Sequence, residues 1–276
     1  MMRKTRIHGI DKTRWLIMAG LIISLGISGC ASPPKERSPI FQYSVINALL
    51  EGVYDSDVTV EELSRHGNFG IGTFDGLDGE MILLDGIFYQ IRADGNAYRV
   101  PDSMKTPFAV VTFFQGSSVS YPQSSLDFQG LTKYMDGLIP TKNIFYAVRI
   151  DGLFKHVKTR SVFKQQKPYP RLVKALKNQP EFTLNNIRGT LVGFWSPAYV
   201  GGVNVPGYHL HFITKDRSAG GHVLGLQAES VNIRIEGVNE LRMILPRNKS
   251  FYGSDLTGEK RNELDKVEKS REPAVR

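Results

Sequence analysis

Three of the six histidines, His209, His211 and His222, fall within fourteen residues. The first two sit in Gly207-Tyr208-His209-Leu210-His211-Phe212-Ile213, an apolar and aromatic-rich run. On a strand, alternation places both imidazoles on one face, so they can ligate one ion from the same side. His222 follows Ser218-Ala219-Gly220-Gly221, which has turn composition, and opens another apolar run. A hairpin would bring it opposite the pair. Three neutral nitrogen ligands make a divalent site, zinc by ligand type, with one position left for substrate or water. Packing or surface histidines are the alternative; strand-compatible spacing of three weakens it.

A zinc ion with three neutral ligands keeps its full charge. It can polarise a carbonyl, lower the pKa of bound water, or hold an enolate. Such chemistry needs charged partners. Glu80 follows Leu77-Asp78-Gly79 at a turn–strand junction. Arg160 ends a β-prone stretch and has the planar fork that pairs with a carboxylate. Glu268 lies on a polar helical segment and by pattern alone is an ordinary surface acid. Taken alone, each of the three reads more simply as a solvated surface charge. Residue types and spacing stop at a zinc site with candidate acid–base partners.

The elements that must position these groups alternate between strands and short helices. Residues 40–51 have a helical apolar pattern closed by Gly52. Thr59 with Glu62 three residues on forms a capping box for a short helix over 59–65. The glycine-punctuated stretch 66–80 lacks the Gly-Lys-Ser/Thr that would close a phosphate loop, and fits tight turns between strands. Strands are expected at 81–84, 87–91 and 97–100, joined by turns at Asp85-Gly86 and Asp94-Gly95. A β-rich run at 108–114 and a helix at 124–135 come next. A hairpin is expected over 144–157 around Asp151-Gly152. The Lys- and Gln-rich stretch up to Pro170 suggests a domain boundary. Beyond it lie a short helix at 171–178 and strands at 182–187, 189–195, 208–214, 222–228, 231–235 and 240–245, then a helix-prone tail at 255–269. The fold class is therefore α/β of the α+β type, in two domains. Residues 40–165 carry a mixed sheet, and residues 166–276 a largely antiparallel sheet with the histidines.

The chain of 276 residues can bury a sizeable core, and its 41% hydrophobic content with 27 glycines suits a sheet-rich globular protein. The net charge of +8 is unevenly placed. Five of the 35 basic and one of the 27 acidic residues precede residue 30, leaving 30 against 26 in the remainder. No dense basic run with interleaved aromatics appears there, so nucleic acid is not an expected partner. The basic start gives way to an apolar run from Leu16 to Ile27, short of the roughly 20 residues of a membrane span. It ends in Ile27-Ser28-Gly29-Cys30, which resembles the lipobox of bacterial lipoproteins, where cleavage precedes a cysteine that carries diacylglycerol. Cys30 is the sole cysteine, which excludes an intramolecular disulfide. An ordinary signal peptide or uncleaved anchor with an incidental cysteine is the alternative. The expectation is a signal peptide over 1–29, a lipid anchor at Cys30 and a tether over 30–39. Ala31, rather than Asp, favours the outer membrane, facing the periplasm.

Five strings carry a wider resemblance: His66-Gly67-Asn68-Phe69-Gly70-Ile71-Gly72-Thr73-Phe74, Leu77-Asp78-Gly79-Glu80, Asp85-Gly86-Ile87-Phe88-Tyr89-Gln90, Pro107-Phe108-Ala109 and Gly207-Tyr208-His209-Leu210-His211-Phe212. Together they resemble the α-acetolactate decarboxylase family, from about Gln42 to Glu268. The resemblance implies zinc held by His209, His211 and His222, an active-site glutamate at Glu80 and an arginine at Arg160. It also implies a tail glutamate at Glu268, a threonine at Thr73, and a C-terminal helix folding back towards the metal. The implied reaction converts (S)-2-acetolactate to (R)-acetoin and carbon dioxide through a metal-stabilised enolate. A homodimer is compatible with this reading. The lipobox departs from many family members and bears on location rather than chemistry. A zinc hydrolase and a non-catalytic metal-binding lipoprotein on the same fold stay open. They differ in whether the two glutamates and Arg160 converge on the metal.

Overall fold

Glycine-rich turns and apolar runs fold here mainly into strands. The computed structural model describes residues 38–116, 118–258 and 260–268, and these group as one compact unit. The strands are β1 (Ile40–Tyr43), β2 (Phe69–Thr73), β3 (Glu80–Leu84), β4 (Ile87–Ile91), β5 (Ala97–Arg99), β6 (Ala109–Thr112) and β7 (Ser118–Ser120). Then come β8 (Leu126–Asp127), β9 (Phe145–Arg160), β10 (Glu181–Ser196), β11 (Gly207–Thr214), β12 (Gly220–Val238) and β13 (Leu241–Ile244). The helices are α1 (Ile46–Leu50), α2 (Val60–Ser64), α3 (Phe128–Asp136), α4 (Leu172–Ala175), α5 (Lys249–Tyr252) and α6 (Arg261–Glu268).

The first sheet has the order β13-β1-β6-β2-β3-β4-β5. It is mixed, because β1 runs parallel to β13 and antiparallel to β6. Its central strands are buried on both faces, as alternation along β3 shows. Ile82 and Leu84 enter the core shared with Val192, Phe194 and Ile213 of the second sheet, whereas Met81 and Leu83 pack with Val60 and Leu63 of α2. The capping box of α2 is present, with Thr59 and Glu62 each accepting from the other's backbone N–H. The second sheet has the order β11-β10-β9-β12-β7 with β8 on β12, all antiparallel. Because β11 also pairs with β12, strands β11, β10, β9 and β12 close on themselves. Phe154, Leu191 and Phe212 fill this sheet's core under Leu131 and Met135 of α3.

The two-sheet α+β class thus matches the expectation, but several elements differ. Residues 40–51 are not one helix. Buried Ile40–Tyr43 pairs on both edges as β1, Ser44 turns the chain at φ 68°, and α1 is only five residues long. There is no hairpin at Asp151-Gly152; β9 runs straight through it. Gly152 is needed because a Cβ there would collide with the carbonyl of Ser230 on β12, so this glycine marks a close strand approach rather than a turn. Asp151 is held in place by Arg149, Arg234 and Thr190. The expected strand pairs at 182–195 and 222–235 are likewise single long strands, β10 and β12, the second accommodating its irregular register with bulges. The sheets do not divide at residue 165. β9 precedes it yet belongs to the second sheet, and β13 follows it yet edges the first. The expected signal peptide, tether and Cys30 lie outside the described residues. Among the described residues no helix is long and apolar enough to cross a membrane.

Asp75, beside β2, pays for its position. Burial, with some help from Asp55, pushes its carboxyl up from the usual 3.8 to about 6, against a lowering contact from the Ser56 N–H. A carboxyl raised in the folded state is destabilising once ionised. The penalty is absent below about pH 3.8 and complete above about pH 6. Asp75→Asn is expected to stabilise the protein by on the order of 1 kcal/mol at pH 8, after allowing for solvent screening of a half-buried group, and to be neutral near pH 4. Denaturant melts at the two pH values check this; equal shifts at both would contradict it.

Candidate metal centre

Backbone pairing brings the histidines together. His211 on β11 is the Cα partner of His222 on β12, and His222 is in turn the partner of Arg160 on β9. One rung across three strands therefore carries two imidazoles and the guanidinium. His209 lies two residues along β11 on the same face, paired with Phe194 of β10. The first sheet supplies the opposite wall. Met81 O accepts a hydrogen bond from His211 Nδ1 at 2.9 Å. A carbonyl can only accept, so Nδ1 carries the proton and Nε2 keeps its lone pair. Glu80, the first residue of β3, is paired with Thr73 on β2. Thr73 Oγ1 donates to Gly79 O at 2.7 Å, clamping the turn that presents Glu80.

Arg160, Glu80 and Glu268 lie together against the three histidines. Arg160 Nη1 meets Glu80 Oε1 at 3.2 Å, and its Nη2 donates to Val267 O at 3.1 Å and approaches Glu268 Oε2 at 3.9 Å. Glu268 Oε2 is also 3.4 Å from His209 Nε2 and 3.8 Å from His222 Nδ1. Glu80 Oε2 is 3.6 Å from His211 Nε2. The side chains of Glu80, Arg160, Glu268 and the three histidines are buried, and Thr73 lines the same cavity. Glu268, an ordinary surface acid by pattern, is thus placed inside by the last turn of α6, where Leu264 and Val267 face the core.

Electrostatics suit a cation. Burial, then the Arg160 charge, lowers His209 to about 3, and His211 and His222 fall well below the usual range for the same leading reason. All three imidazoles are therefore neutral, the form that ligates. Burial also raises both carboxyls, Glu80 to about 7, with Arg160 opposing in each case. One ring nitrogen of each histidine lies within 4.8 Å of the others. Three tetrahedral nitrogen ligands of zinc are about 3.4 Å apart given bonds of roughly 2.1 Å, a spacing the triad approaches. Buried His211 Nε2, His222 Nδ1 and Glu268 Oε2 have no hydrogen-bond partner. Unsatisfied buried polar atoms clustered together fit a bound cation.

Sequence reasoning passed over three contributors. The carbonyls of Met81 and Val267 hold His211 and Arg160, and backbone groups leave no signature in residue type. Gly193 of β10 lies opposite Leu210, where any Cβ would run into His209 O. A glycine inside a strand pattern is the signal that marks such an approach.

Fold and cluster define a two-sheet protein whose buried histidine triad, set among carboxylates and an arginine, is consistent with a metal ion. A family model described as alpha-acetolactate decarboxylase matches residues 40–258. The alpha-acetolactate decarboxylase of Methanosarcina mazei is 49% identical over 230 residues, covering 83% of this chain and 80% of that protein. The Bacillus subtilis one is 43% identical over 79% of this chain and 86% of its own. A crystal structure of the B. subtilis enzyme superposes with a TM-score of 0.82 at 41% identity, covering 84% of this chain and all of that one. A Staphylococcus aureus structure, titled a protein of unknown function similar to alpha-acetolactate decarboxylase, gives 0.77 at 31%, covering 83% of this chain and 97% of that one. The chain belongs to the alpha-acetolactate decarboxylase family. The matched stretch ends before α6, so Glu268 rests on the geometry above.

Gly193→Ala should force β11 away from β10 and displace His209 without removing any ligand. Metal affinity is expected to fall at least tenfold and stability by 1–3 kcal/mol, about the cost of overpacking. Metal titration with thermal melts checks this; unchanged affinity would show that strand spacing does not set the triad.

Proposed function

We propose that the chain decarboxylates (S)-2-acetolactate to (R)-acetoin and carbon dioxide with zinc as its resident ion. The observation that carries this is the convergence of Arg160, Glu80 and Glu268 on the histidine triad. His209, His211 and His222 would hold the ion. When bound, it supplies positive charge next to the substrate's keto and hydroxyl oxygens, where negative charge develops.

The remaining steps fall to the chain's own side chains. The bond from C2 to the carboxylate carbon breaks, its electron pair passes into the adjacent carbonyl as an enolate, and C2 must then gain a proton. Arg160 is engaged at Nη1 and Nη2, while its buried Nε has no partner. Nε is the guanidinium nitrogen with no protein partner, and it is the donor assigned to orient the departing carboxylate. Glu80 and Glu268 stand on different walls of the cavity, one on β3 and one on α6. A carboxyl fixed on one side delivers its proton to one face of C2, which accounts for a single enantiomer. Burial keeps bulk water from quenching the enolate on the other face.

For location, we propose export and lipid attachment through Cys30, on the strength of the lipobox resemblance. Cys30→Ser should abolish acyl labelling and move the protein to soluble fractions; unchanged membrane attachment would refute the anchor.

The catalytic reading is tested by acetoin formation from racemic acetolactate with metal content measured in parallel. Glu80→Gln and Glu268→Gln keep shape but lose the transferable proton. Each should lower kcat on the order of 10²-fold or more while retaining zinc. Arg160→Lys keeps the charge without the fork and should also be impaired. Near-wild-type turnover in Glu268→Gln would remove the tail from the mechanism.

A further inference from the structure

The cavity lined by the triad, Glu80, Arg160 and Glu268 has a volume of only about 30 Å³. That is room for about one or two water molecules, so a branched keto acid in contact with Arg160 and Glu80 must also extend into neighbouring space. On one side it is closed by the buried side chains of Ile46 and Leu49 on α1 and Leu172 on α4. A second cavity, of about 490 Å³, meets the same site from elsewhere: His222 and Glu268 line both. This volume lies in the range of small-molecule sites. Its walls include Phe128, Gln129 and Thr132 of α3, Tyr208 of β11 and Leu264 of α6. Tyr208 donates to Asp136 Oδ1 at 3.0 Å, which ties β11 to α3 and fixes the wall. A third cavity of about 890 Å³ shares Pro206, Leu264 and Asp265 with the second and extends to the surface residues Tyr199 and Arg261. The three cavities thus lie side by side between the surface and His222, sharing walls.

We propose that the cavity between α3 and α6 is the route by which small ligands reach the metal centre, and that Thr132 and Gln129 set the size of what passes. The proposal rests on the decarboxylase reading for the identity of the substrate, a branched keto acid, but not for the route. Both residues are on the solvent-facing part of α3; Gln129 is exposed and Thr132 half-buried, so enlarging them fills the cavity without disturbing the core. Among the described residues neither hydrogen-bonds to the histidines, Arg160 or the glutamates; Thr132 Oγ1 donates to Gln129 O.

The test uses the zinc-loaded protein with Thr132→Trp and Gln129→Trp as obstructing variants and Thr132→Ala as an enlarging one. Two rates are measured: kcat/KM for acetolactate, and the chelator-concentration-dependent rate at which dipicolinate removes zinc. Both tryptophan variants should bind zinc and melt as wild type does. Each should show kcat/KM lowered at least tenfold, mostly through KM, and zinc removal slowed by a similar factor. Thr132→Ala should favour a substrate whose tertiary methyl is replaced by a longer alkyl group. Zinc removal at the wild-type rate in both tryptophan variants would overturn the proposal. A wild-type protein that binds zinc but forms no acetoin would overturn the decarboxylase reading instead, with zinc removal still deciding the route.

Discussion

A guanidinium with almost no exposure is the constraint on which this structure depends. A buried charge is tolerated only when paired, and removing one partner of such a pair costs about 3–5 kcal/mol. Arg160 satisfies this requirement by reaching out of its own sheet. Nη1 finds Glu80 on β3 of the first sheet, and Nη2 finds the Val267 carbonyl and the flank of Glu268 on α6. Three parts of the chain far apart in sequence are thereby drawn to one point. The same charge opposes the rise of the glutamate pKa values and helps keep the histidines neutral. One side chain thus organises both the packing and the protonation of the site.

The sheets turn this pairing into a rigid cluster. His211, His222 and Arg160 occupy one rung because β12 pairs with β11 on one side and β9 on the other. A one-residue slip would turn the imidazoles to the opposite face, so register is part of the chemistry. Close backbone approaches hold that register. Gly193 lets β11 settle against β10, and Gly221, at φ 143°, lies against the carbonyl of Arg160. The Met81 carbonyl then fixes the His211 ring from the other sheet. Loops supply none of the three histidines, which suits a site whose groups must keep their places.

Much of this was legible in residue order. The His-x-His alternation and the turn before His222 are local signals, and they foretold both the shared face and the antiparallel return. The capping box at Thr59 and the turns at Asp85-Gly86 and Asp94-Gly95 have the same local origin. Asp151-Gly152 misled because a turn and a tight strand crossing ask for the same small residue; only the approach of β12 distinguishes them. Residues 40–51 misled because a strand buried on both faces satisfies a helical apolar pattern over so short a span. Glu268 was invisible to pattern and was reached through family resemblance alone. Its burial depends on Leu264 and Val267 docking α6, a tertiary event with little local trace.

The central claim is that three neutral histidines hold one catalytic divalent ion beside Arg160 and the two glutamates. It is tested most directly by titrating zinc into metal-stripped protein while following carbon dioxide release from acetolactate. The account predicts no release from the stripped protein and a linear recovery that saturates at one zinc per chain. Full activity without metal, or recovery that continues well past one equivalent, would contradict it.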